Sequence, residues 1–304
     1  MATTDEIEDH APAPADYSTE KRLARTAGVT LAWWAHGGVR LALALVLMYY
    51  GAAKLVFGQF GFSDAGDALI AHGEMSPMGL LWRMVAFSPV FQFLSGLAEF
   101  GAGLALLWRR TVVLGALIGA APRPRLVPWR PAERVGAVAG PVAAAVIAGL
   151  VLWGVTTMYP PRSVDESAPA GVWAVAEDTA QPAAQLSEDT RWSRLALGSI
   201  SYGGAAQAQL RTADGTLRAG SWTRGEDSTI ELTLKDLREE GQPVQEYLED
   251  EGETLTLTVE QQADGTLHVT GEGQDLVLAP DPSGEVLHER GFSWGIRPDD
   301  PFNR

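Results

Sequence analysis

Three stretches of this chain are too long and too apolar to sit on a water-facing surface. Val39–Phe57 carries Arg40 and Lys54 near its ends, Met84–Trp108 contains a single charge, Glu99, and Val135–Tyr159 contains none. A helix crossing ~30 Å of hydrocarbon needs ~20 mostly apolar residues at 1.5 Å each. One such run is compatible with a buried core helix. Three of them, with few charges between, require a bilayer. A fourth run, Thr111–Ala121, gives only ~16 Å of helix before Pro122-Arg123-Pro124-Arg125 stops it. It is expected at the interface or as a half-helix tucked against the others.

Charge supplies the orientation. Arg109, Arg110, Arg123, Arg125, Arg130 and Arg134 crowd the loop between the second and third runs, and Lys21, Arg22 and Arg25 precede the first. The connector at 58–83 has Arg83 against Asp64, Asp67 and Glu74. Lys and Arg mark the cytoplasmic side, so the N-terminus and the arginine loop are expected inside, the connector and the C-terminal half outside. Trp33, Trp34, Tyr49, Tyr50, Trp82, Trp108 and Tyr159 fall near the interfaces so defined. The first run starts too far in for an ordinary cleaved signal peptide and reads as a signal anchor.

The net charge of −15 averages unlike parts: residues 21–160 hold 12 Lys+Arg against 5 Asp+Glu, residues 161–304 hold 11 against 27. No basic face exists to displace counterions from phosphates, which excludes nucleic acid as a partner. The absence of cysteine excludes disulfides, thiol nucleophiles and iron–sulfur ligation.

Beyond Pro160, a proline-rich stretch precedes short alternating segments. The Ala-Asp-Gly-Thr sequences at 213–216 and 263–266 each separate two of them, a hairpin signal. Eight or nine antiparallel strands are expected, closing a small barrel or sandwich, with an acidic, non-strand interruption at 234–252. The expected architecture is an α-helical transmembrane bundle of about three spans plus the half-helix, followed by this all-β domain. Its parts are an acidic disordered tail (1–36), the helical domain (37–159), a linker (160–170) and the extracytoplasmic β domain (171–304). Gly171-x-Trp173 and the late Arg290-Gly291-Phe292-x-Trp294 resemble a calycin-like barrel, whose Gly-x-Trp strand is plugged by an arginine. Two core tryptophans closing a sheet is the other reading.

The helical half resembles the DoxX/DoxD-like family of bacterial membrane proteins. The resemblance rests on Arg40-Leu-Ala with Tyr50-Gly51-Ala-Ala-Lys54-Leu55, on Ser76-Pro77-Met78-Gly79-Leu-Leu-Trp82, and on Phe93-Leu-Ser-Gly96-Leu-Ala-Glu99. The closing Arg290–Trp294 and Pro301–Arg304 segments are similar to longer members with an appended β domain. The family core has four helices. Here the third stops at Ala121 and no run fills the fourth place, which marks either a pared-down member or an internal deletion. The resemblance implies an accessory subunit of a quinone-linked redox system, with quinone as the implied cofactor and membrane redox proteins as partners.

Glu99 is the best candidate for chemistry, because an acid in mid-span is costly and marks either a function or a polar contact between helices. Arg40 and Lys54 are its candidate partners from the first span, and read more simply as snorkelling anchors at opposite interfaces. Ser95, Gly96, Ala98, Ala102 and Gly103 permit close helix approach, within the chain or in a homo-oligomer. His36 and His72 fall on opposite sides, and His268 and His288 lack the spacing of a zinc site, so no metal is expected. No cofactor ligand is visible, so the chain is not expected to catalyse alone. The competing reading is a membrane-anchored binding module whose barrel takes an apolar ligand or a protein partner. An open interior would favour it.

Overall fold

The structure, a computed structural model, describes residues 17–107, 130–184, 188–238 and 241–290. The short run at 111–121, residues 1–16 and the 291–304 end, with most of the motif begun by Arg290, lie outside the described residues. Contacts divide the chain into two compact units, one holding residues 1–51 and 98–152, the other 52–97 and 153–304.

The first unit is helical. Helix α1 runs Tyr17–Leu55, so residues 17–36, assigned above to a disordered tail, are helical. Helix α3 is Pro89–Leu107 and α4 is Arg130–Met158. All three contain segments long and apolar enough to cross a membrane: Gly28–Leu55, Pro89–Leu107 and Ala139–Met158. Each hides a narrow stripe and displays the rest. Ala44 and Met48 are buried on α1, Ala102 and Leu106 on α3, Ala144 and Ala148 on α4. Gly103 shows why α1 and α3 come so close. A methyl there would sit 2.6 Å from Met48 Cγ and 2.8 Å from the Ala44 carbonyl oxygen, too near for anything but glycine, as small-residue helix packing requires.

The second unit is built on a barrel. Strands β2 (Gly171–Asp178), β3 (Trp192–Tyr202), β4 (Ala205–Thr212), β5 (Leu217–Arg224) and β6 (Thr229–Asp236) follow one another. Strands β7 (Glu253–Gln261), β8 (Leu267–Gly271) and β9 (Gln274–Pro280) continue the meander. Each pairs antiparallel with the next, and β9 returns to β2, closing eight strands. Both Ala-Asp-Gly-Thr segments form hairpin turns. The Asp214 and Asp264 carboxylates accept the amides of Thr216 and Thr266 at 2.9 and 3.0 Å. The expected interruption after β6 contains a short helix, α5 (Val244–Glu249), and Pro282–Arg290 forms α6.

Residues 160–170, read above as a linker, belong to the barrel. Strand β1 (Arg162–Val164) pairs with the C-terminal half of β3, on the edge that β2 uses further along. Arg224 then clasps Asp165 and the Ser167 carbonyl oxygen.

The interior is occupied by the chain's own side chains. Trp173, Trp192, Leu195, Leu210, Trp222 and Leu232, with a further ring of Leu and Val from β6 to β9, form one buried cluster. Eight strands enclose a space just wide enough for side chains to fill. Full burial of each such residue is worth about 1.5–3 kcal/mol.

One boundary differs from the sequence expectation. The second apolar helix begins at Pro89, not Met84. Pro89 cannot continue a preceding helix, and Ser88 accepts the amide of Phe91 at 3.3 Å on its hydroxyl. Met84–Ala86 end a separate helix instead, α2 (Pro77–Ala86).

Candidate functional site

Strand alternation predicts that residues facing away from a filled barrel meet solvent. Val172, Ala196 and Leu217 face away and are buried. What covers them is the connector between α1 and α2. Leu69 is buried there, with Ala65, Ala68 and Ile70 packed beside it, and the chain passes through two short 3-10 turns, Ala65–Asp67 and His72–Glu74.

The connector is fastened by polar groups aimed at strand backbone. Strand β3 bulges where Leu197 pairs with Ala208 and Ser201 with Ala206, so three residues oppose one. That frees the amides of Ser199 and Ile200, and the Asp64 carboxylate accepts both, at 2.9 and 3.0 Å. Its other oxygen accepts the Gly66 amide at 3.0 Å. The Gly198 carbonyl oxygen at the same bulge accepts the Trp222 indole N–H at 3.0 Å, from inside the barrel. Close approach dictates residue type. A methyl at Gly66 would lie 2.5 Å from the Gln207 carbonyl oxygen, and one at Gly198 would strike the Asp64 carboxylate.

Further along, buried Gln209 accepts the Leu69 amide at 2.8 Å. Arg211 donates to the Leu69 carbonyl oxygen at 2.7 Å and to both Glu74 oxygens at 2.7 and 3.0 Å. The Arg211 hydrogen bond holds the Glu74 carboxyl below its usual range against a desolvation cost, and the Ala71 amide adds to it. At the connector's far end Arg83 binds both the Asp67 carbonyl oxygen and its carboxylate. The segment is thus part of the barrel's wall.

The residues singled out from sequence fall in different places. Glu99 is half-buried on α3, on the face that carries buried Gly96, Ala102 and Gly103. Arg40 is half-buried on α1, one helical turn before buried Ala44. Both belong to the first compact unit and Lys54 to the second. Lys54 corrects the snorkelling expectation. It is 7% exposed, with its ammonium 5.7 Å from the centroid of the Phe60 ring, so it turns into the protein instead of out along its surface. Gln92, on α3, escaped the sequence reading. Fully buried, it accepts the Phe60 amide and donates to the Gly61 carbonyl oxygen. The only signal was an amide in a run whose other polar residues are Ser88, Ser95 and Glu99.

His36 is half-buried in α1 and His72 exposed. His268 lies 2.8 Å from Asp275 on the neighbouring strand. Among the described residues no group of three metal-ligating side chains gathers. A shallow depression of about 280 Å³ lies where the end of β2 meets the start of β3, lined by Val175, Asp178, Arg191, Trp192 and Ala213. Arg191 there is already engaged by Asp189 and the Gln181 carbonyl oxygen.

Fold and site together define a class: helices of spanning length carrying an eight-stranded barrel whose wall includes the loop between the first two of them. No family model matches the chain, and no solved structure matches it. The chain is similar to YwoB, an uncharacterized protein of Bacillus subtilis, at 36% identity over 80 residues, which is 26% of this chain and 49% of that relative. The chain spans about half the length of the curated relative it matches.

Proposed function

We propose that this chain is a multi-pass membrane protein of the DoxX/DoxD-like type, with a cytoplasmic N-terminus and an extracytoplasmic barrel. In this reading it serves a quinone-linked redox system as an accessory subunit without catalysis of its own. The membrane part of the proposal is supported by three apolar helices and by the connector. The connector follows the first of these helices and the barrel follows the third, and two intervening crossings return a chain to the side it left. Hydrogen bonds joining Asp64, Leu69 and Glu74 to strands β3 and β4 support a reading in which the connector and the barrel share a side. The arginine-rich loop assigns the opposite side to the cytoplasm.

Glu99 carries the redox part of the proposal. A carboxyl group on the packed face of a helix of spanning length is costly unless it handles a proton or holds a polar partner. Near a quinone it would exchange the protons that accompany reduction. The test is to purify the tagged full chain in mild detergent and identify co-purifying quinone and oxidoreductase by mass spectrometry. The same partner's activity is then measured with Glu99→Gln. Stoichiometric quinone or an oxidoreductase, with activity lowered at least tenfold in the variant, is the expected result. Unchanged activity and quinone content would remove Glu99 from the mechanism.

The filled interior weighs against the other reading, an apolar ligand held inside the barrel. A protein partner for the barrel remains compatible with it, because such a partner needs only the outer surface.

A further inference from the structure

Helix α2 wears its side chains inside out. Met78, Leu81, Trp82 and Met84 are 61, 50, 43 and 57% exposed. The helix's one charge, Arg83, is turned inward. It shares its face with Gly79 and Ala86, at the i, i+4, i+7 spacing of one helical stripe, and it binds the Asp67 carbonyl oxygen at 2.9 Å and the Asp67 carboxylate. The Phe60 ring meets Trp82 edge-on at 5.2 Å. A helix lying on a water-facing surface puts its charges outward and its apolar residues in, and these two contacts keep α2 from rotating into that arrangement.

We infer that α2 lies flat in the outer leaflet, its Met78–Leu81–Trp82–Met84 face in the acyl region just beneath the headgroups. The inference rests on the spanning reading above. Ten residues make ~15 Å of helix, half of what a crossing needs, so α2 lies along the membrane plane as an interfacial helix does. Continuity identifies lipid as the occupant. Only Phe87 and Ser88 separate α2 from α3. The first turns of α3 expose Val90, Phe91, Phe93 and Leu94, so the apolar surface of α2 runs on into that of a helix long enough to cross. The exposed face carries no charge, and its polar group, the Trp82 indole N–H, belongs to a ring of the kind that sits at a membrane–water interface. The N-terminal end of the helix is satisfied internally, since the Ser76 hydroxyl accepts the Gly79 amide at 3.0 Å. Little backbone polarity is therefore carried into hydrocarbon there. Through Arg83 and Asp67 the connector, and with it the barrel wall, is tied to this lipid-seated helix.

The chain has no cysteine, so single spin labels are attached to the full-length protein without background changes. Labels at Met78→Cys and Leu81→Cys are compared with Leu97→Cys on α3 and Glu231→Cys on the barrel. The protein is placed in vesicles of phosphatidylethanolamine and phosphatidylglycerol, and each label is read for collision with oxygen and with a water-soluble nickel chelate. Labels at 78 and 81 should favour oxygen several-fold, as the label at 97 does, while the label at 231 favours nickel. Nickel access at 78 and 81 with 97 in lipid would put α2 in water and overturn the proposal. Exclusion of both reagents at 78 and 81, with 97 in lipid, would mean that a protein or a second copy covers α2, and would overturn it equally. Nickel access at 97 as well would fail the spanning reading itself.

Discussion

The barrel and the helices spend the same residues in opposite ways. Leu232, Leu257, Leu267 and Leu276 are all fully buried inside the barrel, while Leu94 and Leu97 on α3 and Leu150 on α4 stand more than half exposed. Both regions are rich in leucine, so composition does not separate them. What separates them is how each region packs. The barrel expels water from an interior it fills. The helices bury narrow stripes in which small residues such as Ala44 and Gly103 let backbones touch, beside a few large ones such as Met48 and Leu106. That is how helices associate when lipid already solvates their large side chains. The connector is a third case. It hides polar groups, and Asp64, Asp67 and Glu74 are held there because each meets a partner.

The sharpest way to break this comparison is to remove a leucine from each region. Leu257→Ala opens a cavity in a filled interior and should cost about 2–5 kcal/mol. Leu94→Ala, on the exposed face of α3, should change stability by no more than about 0.5 kcal/mol. Thermal unfolding in detergent reads both, and equal losses would mean that α3 is packed against something other than lipid.

Next in size is the polar cover. Asp64→Ala strips the acceptor from the amides of Ser199 and Ile200, at about 1–3 kcal/mol for a buried donor left unmatched. Hydrogen exchange at those two amides should accelerate while β6 to β9 stay protected. Protection unchanged at 199 and 200 would show that the bulge holds without the connector.

The smallest effect concerns pH. Glu74 titrates below its usual value because Arg211 binds its ionised form. A carboxyl with a depressed folded-state pKa stabilises above its unfolded value of ~4.3, and that contribution is lost as pH falls through the lower folded value. The pair is partly exposed, so about 1 kcal/mol is its ceiling. Glu74→Gln should lower the melting temperature slightly at neutral pH. The difference from the parent should shrink to nothing in acid, and a gap that persists there would assign the loss to packing instead of charge.

Local pattern carried much of this fold. Val135–Tyr159 reads as a spanning-length helix because nothing in it is charged, and the two Ala-Asp-Gly-Thr turns announce hairpins through a side chain that caps its own backbone. Glycine recurrence was a weaker guide. Gly171-x-Trp173 suggested a barrel strand and forms one, with Trp173 buried and its indole N–H bound to the Pro169 carbonyl oxygen. The connector entered the sequence reading only through its charges. Asp64, Asp67 and Glu74 look like solvated acids until one knows what lies opposite, and those partners sit more than 130 residues away for Asp64 and Glu74. The inward turn of Lys54 and the burial of Gln92 were hidden for the same reason.

The sequence by itself determined the periods. It set which runs are apolar along their whole length, which alternate, and where the chain turns, because these depend on neighbours within a few residues. Only the tertiary structure decided what covers what. Ala196 is buried on the outside of a barrel because Leu69 lies on it, and Asp64 is satisfied because a bulge in β3 frees two amides. Such contacts depend on where distant backbone arrives, and no local pattern of residues encodes that arrival.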